Sequence, residues 1–344
     1  MHAMVVRRPG PPNVFEWREV PDPKPAPNEV LIRVQAVGIN FADLFQRMGM
    51  YPGQPKPPMI PGLEVAGVVE RSPADSAAAP LQPLRAGDRV GAMTAFNAYA
   101  ELAAVPAPRV FRLQDAMSFE DAAAIPVNYL TAYHSMFVMG NLQRGDRILV
   151  HGAAGGVGIA AVQLAKTRGL IVFGTAGPTK QDYLRKIGVD HPIDYSREEF
   201  LDAVRKVAPK GIEMVLDPIG GKTLAQSARC LGSMGRLVIY GFSASVGPSG
   251  KRSLLRGALA MAQTPRFHPL VLMRRNIAVI GVHLGRLEER AAVLGGELAE
   301  LFKMYAAGQI KPVIGKTFPL TEAAAAHTYI HERRNIGKVV LTVA

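Results

Sequence analysis

Seven small residues, Gly152-Ala153-Ala154-Gly155-Gly156-Val157-Gly158, separate a β-branched run, Arg147-Ile148-Leu149-Val150, from a stretch of helical composition at 159–166. A strand, a glycine turn and a helix in that order form the arrangement that receives a pyrophosphate. The unsatisfied N–H groups and positive dipole end of the helix face the phosphate oxygens. Gly155 lets the backbone approach the phosphates, and Gly158 lets the helix pack closely on the sheet. The pattern departs from G-x-G-x-x-G at its first position, which is Ala153. A tight turn with no ligand is the plainer reading of the same residues; the strand before and the helix after favour a dinucleotide.

The next run, Leu170-Ile171-Val172-Phe173-Gly174-Thr175, reads as the second strand of the unit. A protein that selects NAD places an acid about 20 residues past the glycines, on the ribose 2′-hydroxyl. Here the chain continues Ala176-Gly177-Pro178-Thr179-Lys180, with no carboxylate. A small uncharged loop ending in a lysine suits a 2′-phosphate, which a carboxylate would repel. A solvated lysine is the other reading of Lys180, so the missing acid carries more of the argument. The expectation is NADPH.

These groups need a scaffold, and the bulk numbers bound it. A chain of 344 residues has room for two domains with real cores, and 48% hydrophobic with 20% charged residues describes a globular protein. Neither a secretion-signal core at the start nor a run long enough to span a bilayer is present, so a cytoplasmic location is expected. One cysteine, Cys230, excludes an internal disulfide and a cysteine-built metal site; its Ala/Leu-rich surroundings predict a buried thiol. The net charge of +12 is uneven: residues 218–287 hold ten Lys and Arg and not one Asp or Glu. Such a stretch could meet an anionic membrane surface or an acidic partner, draw in a phosphorylated cofactor, or form a solvated basic face. No nucleic-acid module accompanies it, so nucleic acid is not an expected partner.

Residues 1–125 read as β-rich. Val30-Leu31-Ile32-Arg33-Val34-Gln35-Ala36 alternates, and Glu64-Val65-Ala66-Gly67-Val68-Val69-Glu70 and Asp88-Arg89-Val90-Gly91-Ala92 are further short strands. The Ala/Pro-rich residues 72–83 are expected to form an exposed loop. From Ile125 strands and helices alternate: a helix at 130–139, the two strands and glycine loop above, a helix near 180–187, then strands at 214–217, 236–240 and 277–280. That alternation predicts a parallel sheet covered on both faces. A charged helix at 287–307 follows, and residues 310–344 return to β-like sequence that is expected to fold back on the first unit.

Four motifs in this order resemble the medium-chain dehydrogenase/reductase superfamily over nearly the whole chain. They are Val37-Gly38-Ile39-Asn40-Phe41-Ala42-Asp43, Pro61-Gly62-Leu63-Glu64-Val65-Ala66-Gly67, Ala153-Ala154-Gly155-Gly156-Val157-Gly158 and Asn335-Ile336-Gly337-Lys338-Val339. The likeness is greatest to the zinc-free quinone oxidoreductase branch that includes zeta-crystallin. Residues 264–270, with Met273 and Asn276, further resemble the synaptic-vesicle membrane protein group of that branch. The resemblance implies an α/β fold in which a Rossmann-type doubly wound parallel sheet, residues 127–284, is inserted in a β-rich GroES-like catalytic domain, residues 1–126 and 285–344. It puts Asn40 and Leu63 where zinc enzymes of the superfamily carry a cysteine and a histidine, and that pair cannot hold a catalytic zinc.

Carried over residue by residue, the resemblance places Asn40, Asp43 and Tyr51 in the pocket by nicotinamide and substrate. Tyr51 is then a possible hydrogen-bond or proton donor, or a packed aromatic; Asp43 could equally be a helix cap. Asn128 and Thr131 fall by the nicotinamide ribose and amide, and Gly155, Gly156 and Val157 on the pyrophosphate. Gly177, Lys180 and Tyr195 fall at the 2′-phosphate and adenosine end. Gly241, Phe242, Val282, His283 and Leu284 supply contacts to the nicotinamide, and Asn335 reaches the cofactor from the returning tail. Without a Lewis acid, reducing an electron-poor quinone or α,β-unsaturated carbonyl is easier than oxidising a plain alcohol. The leading expectation is therefore an NADPH-dependent reductase of a small planar electrophile. Two alternatives stay open: an enoyl-thioester reductase, and a membrane-associated, lipid-transfer or structural protein that retains the cofactor fold. The resemblance also implies a homodimer joined through residues 277–280.

Overall fold

The computed structural model describes residues 1–72, 83–247, 253–287 and 290–343. Most of the expected loop at 72–83 and the basic residues Lys251 and Arg252 lie outside them. Six parallel strands form one sheet in the order His191–Asp194, Ile171–Ala176, Arg147–Val150, Ile212–Asp217, Leu231–Ile239, Ala278–Gly281. Strands covered on both faces read as continuous apolar runs, and here alternate residues serve opposite layers. Ile148 and Val150 join a core with Ala160, Leu164 and Leu130, while Leu149 joins Phe200, Val204 and Leu224 on the other side. The fold is thus α/β, with a Rossmann-type parallel sheet joined to a β-rich GroES-like unit.

That unit is built on a mixed sheet of seven strands. Glu29–Ile39 lies at its centre, pairing antiparallel with Glu64–Arg71, Leu102–Pro106 and the returning strand Lys338–Thr342. Val339 stands opposite Ile39, so the last strand brings Lys338 to the end of the strand that delivers Asn40. Buried Val30, Ile32, Val34, Val37, Leu44, Val65 and Val90 form the core beneath.

Some boundaries differ from the sequence reading. The helix expected at 130–139 starts earlier, at Pro126, where a proline in the first turn sacrifices no hydrogen bond. It runs to Tyr133 and widens into a π-helix, His134–Met139. The helix expected at 287–307 spans Ala291–Ala306. The short strand His191–Asp194 lies at one sheet edge, where Pro192 is tolerated. Cys230 ends the helix Gly221–Cys230, fully buried, and burial pushes its thiol up to about 12.

Candidate functional site

The helix Gly156–Thr167 starts immediately after Gly155, whose extended backbone makes it the N-cap. The first-turn N–H groups of such a helix have no intrahelical acceptor, and Gly155, Gly156 and Val157 are only half-buried. A Cβ on Gly156 would stand 2.2 Å from Asn128 Nδ2, so any larger residue there would turn the Asn128 amide away. Asn128 and Thr131, both buried, come from one helix, Pro126–Tyr133. The tail closes the far side, as Gly337 N–H donates to the Ala154 carbonyl at 2.8 Å.

A buried hydrogen-bond chain that the sequence reading missed fixes the loop from below. Gly152 N–H reaches Thr175 Oγ1 at 3.3 Å, and Thr175 Oγ1 meets His151 Nδ1 at 3.1 Å. His151 Nε2 meets Ser227 Oγ at 3.0 Å, and Ser227 donates to Asp217 Oδ2 at 2.8 Å. Since the Ser227 proton goes to the carboxylate, its oxygen accepts from Nε2–H, and bare Nδ1 accepts from Thr175. That is a neutral histidine, in keeping with burial lowering its pKa. Asp217 Oδ1 also accepts from the N–H groups of Ile219 and Gly220, so one chain ties the glycine loop to the neighbouring strand-to-helix turn.

At the end of strand Ile171–Ala176, the Tyr195 hydroxyl lies 3.4 Å from where a Cβ on Gly177 would stand. Lys180 does not extend into solvent. Its Nζ donates to the carbonyls of Arg333 at 2.8 Å and Asn335 at 2.6 Å, pinning the tail to this corner. Burial first, and then the Arg333 charge, lower its pKa. Arg333, exposed and with φ of 56°, adds a second cation that the sequence reading did not select. Asn335 lies half-buried in the same segment, its side-chain amide donating to the Gly337 carbonyl at 3.2 Å.

The opposite end is lined by turns after two neighbouring strands. Gly241 and Phe242 follow Leu231–Ile239, and the Phe242 ring covers Gly220 so closely that a Cβ there would sit 2.2 Å from it. Val282, His283 and Leu284 follow Ala278–Gly281, with Val282 N–H on the Ile239 carbonyl at 2.9 Å. Tyr51 reaches this lip from the GroES-like unit, its ring 5.6 Å from His283 and 6.2 Å from Phe96. Burial, then the Asp43 charge, raise the Tyr51 pKa, and Arg286 opposes them. A phenol so held keeps its proton and can donate.

Asn40 is buried, and its amide is fully engaged. Nδ2 donates to Glu64 Oε1 at 2.7 Å, and Oδ1 accepts from Lys338 Nζ at 2.7 Å. Lys338 also meets Glu64 Oε1 at 2.5 Å, and Glu64 Oε2 accepts from Val127 N–H at 2.8 Å. Neither Glu64 nor Lys338 was selected as a site residue, although both stand in motifs of the sequence.

The placement of Asp43 in the substrate pocket needs correction. It has no exposed surface and acts as a helix cap: Oδ2 accepts from Asn40 N–H at 2.8 Å and from the Tyr99 hydroxyl at 3.3 Å. Arg47 Nε donates to His327 Nδ1 at 3.3 Å, which leaves the proton on Nε2, 2.9 Å from Tyr99. Tyr99 is thereby left to donate to Asp43. Burial pushes the Asp43 carboxyl up to about 7, with the Asn40 N–H and Lys338 pulling the other way. Asp43 shapes the site through Asn40 rather than by contact.

A family model described as an alcohol dehydrogenase GroES-like domain matches residues 26–115, and one described as zinc-binding dehydrogenase matches residues 187–341. The chain is 41% identical over 330 residues to the human synaptic vesicle membrane protein VAT-1 homolog, covering 95% of this chain and 82% of that one. It is 32% identical over 354 residues to human quinone oxidoreductase, covering 99% and 97%. Its fold matches the Escherichia coli quinone oxidoreductase complexed with NADPH with a TM-score of 0.86 at 29% identity, over 99% and 100% of the two chains. The zinc in the second model's description does not fit the residues present. The Asn40 amide is spent on Glu64 and Lys338, an ammonium stands beside the carboxylate, and no group of three His, Cys, Asp or Glu among the described residues could hold a metal. No helix among them is long and apolar enough to cross a membrane.

Proposed function

We propose, for a chain that belongs to the medium-chain dehydrogenase/reductase superfamily and is quinone oxidoreductase-like within it, that the cleft binds NADPH and passes hydride to a quinone or an α,β-unsaturated carbonyl. One observation carries the reading: a half-open helix start at Gly155–Val157 is joined to an adenosine end whose loop after strand Ile171–Ala176 holds no acid, where Lys180, Arg333 and Tyr195 gather beside Gly177. When bound, NADPH supplies a hydride to an electron-poor carbon. The first-turn N–H groups of Gly156–Thr167 hold the pyrophosphate. Asn128 positions the ribose and amide side, while Phe242 and Val282 wall the cleft. Tyr51, protonated at the lip, is placed to donate a hydrogen bond or proton to the oxyanion that forms.

The test is a titration with NADPH and with NADH followed by nicotinamide fluorescence, then addition of phenanthrenequinone with the loss of reduced-nicotinamide absorbance recorded. Tight NADPH binding with quinone-dependent oxidation supports the reading; absence of binding refutes it. An enoyl-thioester substrate is a narrower form of the same chemistry, separated by whether crotonyl-coenzyme A outcompetes the quinone.

A second reading, contact with an anionic lipid surface, is favoured by two exposed helices. Leu255, Leu270 and Met273 are 82%, 67% and 75% exposed on the helices Leu254–Ala262 and Pro269–Arg275, with Arg256, Arg266 and Arg274 exposed among them. Apolar side chains flanked by arginines suit the headgroup boundary of such a surface. Co-flotation with phosphatidylserine vesicles, lost on Leu255→Glu/Leu270→Glu, supports it; no co-flotation of the unaltered protein refutes it.

A further inference from the structure

We infer that Glu64 is a positioning residue that locks the substrate side of the cleft to the nicotinamide side. The inference rests on the function proposed above and adds a residue to it.

Glu64 has no exposed surface and uses both carboxylate oxygens on different parts of the fold. Oε1 takes Asn40 Nδ2 and Lys338 Nζ, the first at the start of the helix Phe41–Met48 and the second on the returning strand. Oε2 takes the N–H of Val127, the second residue of the helix Pro126–Tyr133. That helix carries Asn128 and Thr131, and Asn128 in turn lies against Gly156. An anion at a helix N-terminus is also favoured by the helix dipole. One side chain thus fixes Asn40 and the Asn128 helix relative to each other.

The backbone makes room for this junction. A Cβ on Gly38 would stand 2.0 Å from the Ala123 carbonyl, 2.7 Å from Glu64 Oε1 and 2.7 Å from Lys338 Cε. Only glycine at that place lets the central strand, the carboxylate and the chain leading into the Asn128 helix approach this closely. The two-ended role also needs a carboxylate. A glutamine has one acceptor oxygen: it can serve Val127, with its NH2 turned against the Lys338 ammonium, or serve Lys338, with its NH2 against the Val127 N–H. Aspartate keeps the charge opposite Lys338 but is one methylene too short to reach both ends.

Glu64→Asp is the primary variant, because it leaves no unpaired buried ammonium; Glu64→Gln is the second. Three readouts apply. Hydrogen exchange of the cofactor-free protein is expected to quicken about tenfold at Val127 and the start of 126–133, the effect of losing one charge-assisted hydrogen bond. The NADPH dissociation constant, set mainly at the phosphates, should stay within about threefold of the unaltered protein. Bound nicotinamide fluorescence should fall toward that of free NADPH, and single-turnover hydride transfer to phenanthrenequinone at saturating NADPH should drop about 100-fold.

Unchanged exchange in folded Glu64→Asp overturns the inference whatever the cofactor does. Quickened exchange with fluorescence and transfer intact means a structural role only and overturns it too. Failure of the unaltered protein to bind NADPH is a different result: it removes the proposed function, and the positioning role with it.

Discussion

Asp43 offers a quantitative test of how burial shapes the floor of the site. Its carboxylate is fully buried, with two hydrogen bonds to Oδ2 and no partner for Oδ1 among the described residues. Removing water from the charged form outweighs those bonds and the nearby Lys338, so the group titrates at about 7 in the fold, against about 3.9 in an unfolded chain. The sign follows from linkage. Across that window the native state holds a proton that the unfolded state has lost, so this contribution to stability is present in full at low pH. It is lost as pH rises through the folded pKa. Asp43→Asn is nearly isosteric, keeps an oxygen for Asn40 N–H and does not titrate. Between about pH 5 and pH 8 the unaltered protein should lose about 3 kcal/mol relative to the variant, with the slope ending near neutrality. Urea unfolding at four or five pH values, read as the difference between the two proteins, measures this directly. Parallel stability curves across the window would refute the reasoning and would mean that water or a compensating charge solvates the carboxylate.

Other perturbations probe the cofactor cleft and the surface. Gly156→Ala forces the Asn128 amide away from a Cβ 2.2 Å distant. It should weaken NADPH about tenfold or more by fluorescence titration with little change in melting temperature, and unaltered affinity would contradict the contact. Lys180→Ala should weaken NADPH much more than NADH; equal losses would assign Lys180 to holding the Arg333 and Asn335 carbonyls alone. The strand Ala278–Gly281 is a sheet edge with one side unpaired among the described residues and is predicted to join a second copy. Light scattering should report a dimer, and a monomeric mass would contradict it.

What could be read in the sequence was mostly local. The glycine turn, the strands on either side and the missing acid after strand Ile171–Ala176 occupy one stretch of chain, so residue type and spacing were enough. The return of the β-like tail to the first unit was also legible, but its antiparallel pairing of Lys338–Thr342 with Glu29–Ile39 was not. Nor was the junction at Glu64. Its partners Asn40, Val127 and Lys338 lie 24, 63 and 274 residues away, and no local pattern encodes which buried carboxylate meets which buried ammonium. Lys180 shows the same limit, since 153 and 155 residues separate it from the carbonyls it binds. Asp43 was selected as a pocket residue and lies beneath the pocket instead. Its side chain competes for the start of its own helix, and the short reach to Asn40 N–H wins. The early start of the helix at Pro126 was missed because its apolar periodicity becomes plain only farther along, while the proline itself marks the first turn.

In the proposed function the cleft holds NADPH in a geometry that delivers hydride to an electron-poor carbon. Single-turnover oxidation of enzyme-bound NADPH by phenanthrenequinone, with NADH run in parallel, tests it most directly. Tight, NADPH-selective binding and rapid quinone-dependent loss of the reduced nicotinamide are expected. Bound NADPH that stays reduced with quinones, enones and enoyl thioesters alike would contradict the proposed function and leave the cofactor fold serving another end.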